Sequence, residues 1–228
     1  MAIRAILWDV DGTLLDFLAA EKAAVQRLFG EFGLGTCTDG MVARYSAIND
    51  AYWKRLERGE ITKQEVLTGR FREFFTELGL EADLAEAFNA KFQLALGDTV
   101  VYRDDSLTIV KALHGRVRQY VVSNGTVVAQ TKKLSRSGLG AWMEGVFLSE
   151  ELGAEKPSPA FFRQVFASLP DIDKADMLIV GDSLTSDMQG GIAAGIPTCW
   201  YNPARLPRPA DMEITYEIQD LNQVLELL

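Results

Sequence analysis

The apolar residues of this chain recur with two different periods, and the change of period divides the sequence. The chain opens on a short apolar run that ends at Asp9, which predicts a buried strand of a parallel sheet. From about residue 17 to residue 96, apolar positions recur at helical spacing in four successive segments, each followed by glycine. Because the strand pattern returns only about a hundred residues later, we predict a four-helix bundle inserted directly after the first strand.

From about residue 104 to the end of the chain, helix-like and strand-like segments alternate. Strands are predicted at 117–122, 146–148, 177–180, 197–201 and 214–216, the last two at a sheet edge, and a final helix at 219–228. Such alternation is typical of an α/β fold with a doubly wound parallel sheet. We therefore predict a core domain of residues 1–15 and 101–228, and a helical cap domain of residues 16–100.

Composition and charge narrow the class of protein. The 228 residues are 48% hydrophobic and 24% charged, which is ordinary for a globular chain. There is no apolar stretch of the roughly 18–20 residues that cross a bilayer, no leader pattern and no CxxC spacing of Cys37 and Cys199, so we expect a cytoplasmic protein. The net charge of −9 disfavours nucleic acid and membrane as partners, but local cations and a metal could hold a small anionic substrate.

The first strand delivers two carboxylates to its carboxyl end. Because side chains alternate along a strand, Asp9 and Asp11 are expected on one side, at the edge where open α/β sheets bind ligands. Two close carboxylates repel each other unless a cation or a shared proton intervenes, which suggests a metal site or an acid/base pair. The competing interpretation is a solvated, Asp-rich turn that closes a strand.

Three further polar clusters follow predicted strands: Ser123-Asn124-Gly125, then Lys156-Pro157, then Gly181-Asp182-Ser183 with Asp187. The carboxyl ends of parallel strands meet at one edge, so these clusters can converge on Asp9 and Asp11. Taken singly, each cluster could equally be a turn, a solvated loop charge or a tight strand end.

In this order, Asp9-Val10-Asp11-Gly12-Thr13 and the three clusters resemble the four motifs of the haloacid dehalogenase (HAD) superfamily, over the whole chain. The helical insertion resembles the C1 cap of its first subclass. The resemblance implies a Rossmann-like core and a Mg²⁺-dependent phosphatase, with Asp9 as nucleophile and Asp11 as general acid and base. It also implies that Asp9, the backbone carbonyl of Asp11 and Asp182 hold Mg²⁺, with Asp187 behind them.

A phosphate monoester dianion repels an anionic nucleophile, so an enzyme must neutralise it and hold an oxygen nucleophile in place. Ser123 and the backbone N–H groups at Asn124 are expected to donate to phosphate oxygens, and Lys156 to add a cation that offsets the carboxylates. The haloacid dehalogenases proper lack a second acid at the position of Asp11. Its presence favours phosphoryl transfer over dehalogenation.

Within the insertion, Ile48-Asn49, Trp53, Gly59, Ile61-Thr62 and Gly69-Arg70-Phe71 resemble the bacterial house-cleaning pyrimidine 5′-nucleotidases of that superfamily. The cap follows the catalytic strand directly, so we expect it to close over the leaving group and choose the substrate. Asn49, Trp53, Arg70 and Phe71 combine a stacking surface with polar groups that could read a flat base. Each could instead belong to the core of the cap or to its solvated face.

The expected partner is a small-molecule phosphomonoester, with pyrimidine nucleoside monophosphates first, and the expected state is a monomer or weak homodimer. Phosphoglycolate or sugar-phosphate phosphatases and phosphomutases share the four motifs and are the alternatives. A binding protein that kept the fold and lost turnover is a third class. Such a protein need not retain the complete set of Asp9, Asp11, Ser123, Lys156 and Asp182.

Overall fold

The computed structural model describes residues 3–228, and the chain divides into two compact units. One unit, which we call the core unit, is built from the chain up to Asp16 together with Val100–Leu228. The other, the helical unit, is Phe17–Thr99. None of the helices within residues 3–228 has the length and apolar character that a membrane span requires.

The core unit is organised around one sheet of six parallel strands. The strands are β1 (Ala5–Trp8), β2 (Arg118–Ser123), β3 (Gly145–Leu148), β4 (Met177–Gly181), β5 (Thr198–Tyr201) and β6 (Tyr216–Ile218). They lie in the order β3-β2-β1-β4-β5-β6. The prediction of an α/β fold with a parallel sheet is therefore confirmed. β1 lies between β2 and β4, with Leu7 opposite Tyr120 on one side and Ile179 on the other.

Both faces of the sheet are covered, as the apolar strands predict. Every residue of β1 is buried, and alternate side chains enter separate apolar clusters. Ile6 and Trp8 pack into one cluster, and Ala5 and Leu7 pack into the other. A doubly covered central strand leaves only its ends open to solvent, so any site built on β1 must lie at an end of the sheet.

The prediction that β5 is an edge strand is wrong, because β6 pairs with it outside, Cys199 opposite Tyr216. Strand order across a sheet is a tertiary property that a single sequence does not display. The last strand also begins at Tyr216 rather than Ile214. At Thr215 and Thr198 each backbone N–H donates to the other residue's hydroxyl, so regular backbone pairing starts one residue later.

The helical unit consists of α1 (Phe17–Glu31), α2 (Asp39–Glu57), α3 (Lys63–Glu77) and α4 (Ala85–Leu96), with a 3₁₀ turn at Ala82–Leu84. α3 begins with the predicted capping box: the Thr62 hydroxyl accepts from the Glu65 N–H, and the Glu65 carboxylate accepts from the Thr62 N–H. Buried aromatic rings fill the centre of the unit. Tyr45 and Phe71 stack there with ring centroids 4.8 Å apart.

The remaining helices flank the sheet. They are α5 (Ser106–Leu113), α6 (Val127–Ser137), α7 (Ser149–Leu152), α8 (Pro159–Ala167) and α9 (Gln189–Ala194). A π-helical turn, Leu184–Met188, precedes α9. The chain ends in a 3₁₀ helix, Leu221–Glu226, where the sequence predicts an ordinary helix.

Candidate active site

The ends of β1, β2 and β4 bring together side chains that lie far apart in the sequence. Lys156, in the loop before α8, is 1% exposed, and its ammonium group connects several residues of the site. Its Nζ donates to Asp9 Oδ1 at 2.9 Å, to Asp187 Oδ1 at 2.6 Å and to the Val122 carbonyl at 2.9 Å. A buried lysine is tolerated when acceptors surround it, and here two of the three are carboxylates.

Three carboxylates form an acidic cluster beside Lys156. Ligand oxygens of Asp9, Asp182 and Asp187 all lie within 4.8 Å of one another. Asp187 belongs to the π-helical turn before α9, a type of turn that is frequent at functional sites. Its second oxygen accepts from the Ser183 N–H at 3.2 Å. The single positive charge of Lys156 can balance only one of the three negative charges in this cluster.

Burial and the neighbouring charges shift the pKa values of the residues in this cluster. Burial raises the pKa of Asp9 to about 7; Lys156 opposes this shift and the Asp187 charge adds to it. Burial alone would lower the pKa of Lys156, but the charges of Asp187 and Asp9 outweigh it and raise that pKa. Burial and the charges of Asp9 and Asp187 also raise the pKa of Asp182.

The residues of the cluster fit a divalent cation. Asp9 Oδ2 is buried and has no hydrogen-bond partner within residues 3–228, which leaves a carboxylate oxygen available as a ligand. The donor set is oxygen only, which suits Mg²⁺ and does not suit a soft metal. Asp9 and Asp182 would hold the ion, with Asp187 beside them, and its charge would offset the repulsion among the three groups.

Two glycines and a threonine let the carboxylates approach each other. Gly12 has a φ of +96°, and a Cβ there would lie 2.5 Å from Asp182 Oδ2. A Cβ at Gly181 would overlap the Asp187 carboxylate. The Thr13 hydroxyl donates to Asp182 Oδ1 at 3.1 Å and accepts from the Asp182 N–H at 3.0 Å. The first motif thus orients the acid of the last motif, a role that the sequence did not indicate for Thr13.

Ser123 is the last residue of β2 and Asn124 follows it, and their side chains make different contacts. Ser123 is 2% exposed, and its hydroxyl accepts from the Gly125 N–H at 3.0 Å, which leaves the O–H to donate. The Asn124 side chain instead binds the backbone of Lys156: its Nδ2 donates to the Lys156 carbonyl at 2.9 Å and its Oδ1 accepts from the Lys156 N–H at 2.8 Å. Asn124 therefore fixes the loop that carries the buried lysine.

The carboxylate of Asp11 is bound by two side chains that sequence reasoning missed. Both come from α6: Lys133 Nζ lies 2.5 Å from Asp11 Oδ1, and Gln130 Nε2 donates to Asp11 Oδ2 at 2.6 Å. The sequence held one indication of this role, the position of the two residues on the helix. Gln130 and Lys133 are three residues apart on the face of α6 that carries Leu134, and polar residues on a buried helix face call for a partner.

In the helical unit, three of the four residues predicted to read the substrate lie in its interior. Arg70, 1% exposed, donates to Asn49 Oδ1 at 2.5 Å, and the Asn49 amide donates to Glu21 Oε1 at 2.8 Å. Phe71 is fully buried among the aromatic rings. These placements correspond to the cap-core role that the sequence left open. Trp53 on α2 is half-buried.

The site and the fold agree with a family comparison. A model of the haloacid dehalogenase-like hydrolase family matches residues 3–195, so the chain belongs to that family. The chain also superposes on the crystal structure of the HAD-hydrolase YfnB of Bacillus subtilis bound to magnesium, with a TM-score of 0.93 and 36% identity, covering 100% of this chain and 99% of that one. The resemblance found in the sequence is confirmed at family level.

Two further relatives are similar along the whole chain. The pyrimidine 5′-nucleotidase PynA of Streptococcus pneumoniae is 36% identical over 100% of this chain and 96% of its own. The pyrimidine 5′-nucleotidase YjjG of Escherichia coli is 28% identical over 98% of this chain and 96% of its own. Together with the family match, these relatives support phosphatase activity.

Proposed function

We propose that this protein is a Mg²⁺-dependent phosphomonoesterase that forms an aspartyl-phosphate on Asp9 and acts on (deoxy)pyrimidine nucleoside 5′-monophosphates. The observation that carries the proposal is the state of Asp9: one carboxylate oxygen is bound by Lys156, and the other is buried without a hydrogen-bond partner within residues 3–228. A carboxylate fixed by one oxygen keeps the other for bond formation or for a cation.

In the first step, an Asp9 oxygen forms a bond to phosphorus while the ester P–O bond breaks and its electron pair leaves with the alkoxide. Asp11 gives its proton to that alkoxide, which leaves as the nucleoside. The Ser123 hydroxyl and backbone N–H groups at Asn124 donate to the phosphoryl oxygens, and Lys156 holds Asp9 in place. When bound, Mg²⁺ would supply positive charge that offsets the negative charge on the phosphoryl oxygens.

In the second step, water attacks phosphorus, and Asp11, now ionised, takes the proton from it. The bond between phosphorus and Asp9 breaks, which releases inorganic phosphate and restores both carboxyl groups. One residue therefore acts first as acid and then as base. Splitting the reaction in this way replaces direct attack by water on a dianionic ester with two easier displacements.

The substrate part of the proposal is supported by the similarity to the pyrimidine 5′-nucleotidases PynA and YjjG and by the motifs of the helical insertion that resemble such enzymes. The core motifs engage only phosphate and metal, so discrimination among phosphomonoesters must come from other residues. We assign that role to the helical unit, with Trp53 as its first candidate. Arg70 already donates to Asn49, and we assign both residues to holding this unit together.

The test is a phosphate-release screen with Mg²⁺ across nucleoside monophosphates, sugar phosphates and phosphoglycolate. We expect dUMP and dTMP to lead, turnover to stop with a chelator, and Asp9→Asn to lose several orders of magnitude in kcat/KM. Asp173 is an exposed acid of the core unit, to which Asp9 also belongs; Asp173→Asn is therefore the matched control and should keep full activity. A screen led by phosphoglycolate or a hexose phosphate would remove the nucleotidase assignment, and an active Asp9→Asn variant would remove the mechanism.

A further inference from the structure

The two acids of the first motif are held by different cations. Lys156 binds Asp9, whereas Lys133 binds Asp11, and the second contact involves none of the residues that hold the first. Lys133 and Gln130 engage different oxygens of the Asp11 carboxylate. Two donors on two oxygens fix both the position of a carboxylate and the rotation of its plane.

This arrangement is costly for the fold. Only 3% of the Lys133 side chain is exposed, and burying a lysine is unfavourable unless it is paired. Gln130 is fully buried, and its Oε1 has no hydrogen-bond partner within residues 3–228, which is unfavourable for folding. A helix face that only had to pack against the sheet would carry apolar side chains at both positions. The two donors therefore point to a role at Asp11.

The second motif makes room for one of these donors. Gly125 has no positive φ, so its backbone conformation does not demand glycine. A Cβ at Gly125 would instead overlap the Gln130 side chain at its amide. The glycine of Ser123-Asn124-Gly125 thus allows the Gln130 amide to pass on its way to Asp11, which connects the second motif to the acid of the first.

From this geometry we propose that Gln130 and Lys133 are positioning residues that hold the Asp11 carboxylate in the orientation required for proton transfer. The inference rests on the proposed function, since it gives Asp11 the acid/base role. Both residues bind the Asp11 carboxylate directly, so we expect them to act on the chemical step through Asp11. A misplaced catalytic group of this kind can cost about 100-fold in rate.

The test is a double-mutant cycle with Lys133→Met, which keeps the length of the side chain and removes its charge. On dUMP we expect kcat to fall about 100-fold with KM nearly unchanged, because the lost contact matters to proton transfer and not to phosphate binding. In an Asp11→Asn background, the same substitution should change kcat less than about twofold, because residues that act through one another are not additive. Lys132→Met is the control of equal charge on α6 and should match the wild type.

A second measurement separates orientation from folding. With p-nitrophenyl phosphate, whose leaving group needs little protonation, Lys133→Met should give a burst of p-nitrophenolate followed by slow turnover, because only dephosphorylation then needs Asp11. If Lys133→Met does not fold by circular dichroism, Gln130→Met takes its place in the same cycle.

Equal kcat in Lys133→Met and Lys132→Met, or an equal loss in the wild-type and Asp11→Asn backgrounds, would overturn the inference. These outcomes leave the proposed function standing as long as Asp9→Asn is inactive. An active Asp9→Asn variant, in contrast, would remove the proposed function itself, so the two failures are distinguishable.

Discussion

At the scale of single residues, Asp9 and Asp11 have the same side chain but different surroundings and different hydrogen-bond partners. Asp9 is buried, bound by Lys156 and surrounded by Asp182 and Asp187. The Asp11 side chain is 24% exposed and is bound by two donors of α6. A carboxylate among other carboxylates suits a cation and bond formation, whereas a carboxylate that reaches solvent suits exchange of protons with a leaving group and water.

This difference predicts how Asp11→Asn behaves. An amide cannot supply the proton to a poor leaving group, so turnover of dUMP should fall by about 100-fold or more. Phosphorylation by p-nitrophenyl phosphate needs little protonation and should continue, while dephosphorylation slows. Rapid-quench measurement of p-nitrophenolate and phosphate separates the two steps. If both esters lost the same activity in the phosphorylation step, Asp11 would not be the acid.

The same residues show what the sequence could and could not predict about the site. The sequence could predict Asp9, Lys156 and Asp182, because each lies in a segment that comes after a predicted strand. Parallel strands end at a common edge of the sheet, so such segments can meet there. Gln130 and Lys133 were not, because they reach the site from the side of a helix. Their partner lies 119 and 122 residues away in the sequence, and no local pattern records such a pairing.

At the scale of elements, a polar group of side chains joins three helices of the helical unit. Glu21 of α1 accepts from Ser46 and Asn49 of α2, and Asn49 in turn accepts from Arg70 of α3. All but Ser46 are buried. Such a network fixes the register of the three helices relative to each other, because any slip would leave buried polar groups without partners.

Glu21 makes the stability of this unit depend on pH. Burial raises the pKa of Glu21 from 4.5 to about 7, against the hydrogen bonds from Ser46 and Asn49. A carboxyl whose pKa is higher in the folded chain binds its proton more tightly there, so its contribution to stability is complete below about pH 4.5. That contribution is lost as pH rises through 7, at most about 3 kcal/mol in all.

We therefore expect Glu21→Gln to be progressively more stable relative to the wild type as pH rises from 5 to 8. The difference in unfolding free energy between the two chains, measured in denaturant at each pH, isolates Glu21 from the acids of the active site. Glu81→Gln, at an exposed position of the same unit, should show no such trend. A difference that stays flat across this range would mean that Glu21 is ionised throughout.

Trp53 carries the prediction on substrate choice. Stacking of an aromatic side chain on a base is worth about 1–3 kcal/mol, so Trp53→Ala should lower kcat/KM for dUMP by about tenfold or more. The p-nitrophenyl ester serves as the control substrate and should be affected much less. Equal losses on both substrates would make Trp53 a packing residue of α2.

Elements with a local signal were predictable, and elements that depend on tertiary order were not. The capping box of Thr62 and Glu65 involves four consecutive residues, so the sequence displays it in full. The inner position of β5 depends on where β6 pairs, and the start of β6 depends on two threonine hydroxyls across the strands. The roles of Asn49 and Arg70 likewise depend on a partner in another helix.

At the scale of the whole molecule, the fold assembles one site from two distant parts of the chain. In the sequence, the helical unit separates the first motif from Ser123, Lys156 and Asp182. The sheet reunites them, because β1 pairs directly with β2 and β4, whose ends carry Ser123 and Asp182. An insertion of this kind leaves the sheet intact, since it enters and leaves the core unit at neighbouring points: the Asp16 N–H donates to the Val101 carbonyl.

The central claim is that Asp9 carries the phosphoryl group during turnover. The most direct measurement is mass spectrometry of the peptide that contains Asp9, after Asp11→Asn is mixed with p-nitrophenyl phosphate and Mg²⁺ and quenched in acid. We predict one added phosphoryl group on Asp9, and none when Asp9→Asn is combined with Asp11→Asn. A phosphoryl group on another residue, or an unmodified chain that still releases p-nitrophenolate, would contradict the mechanism.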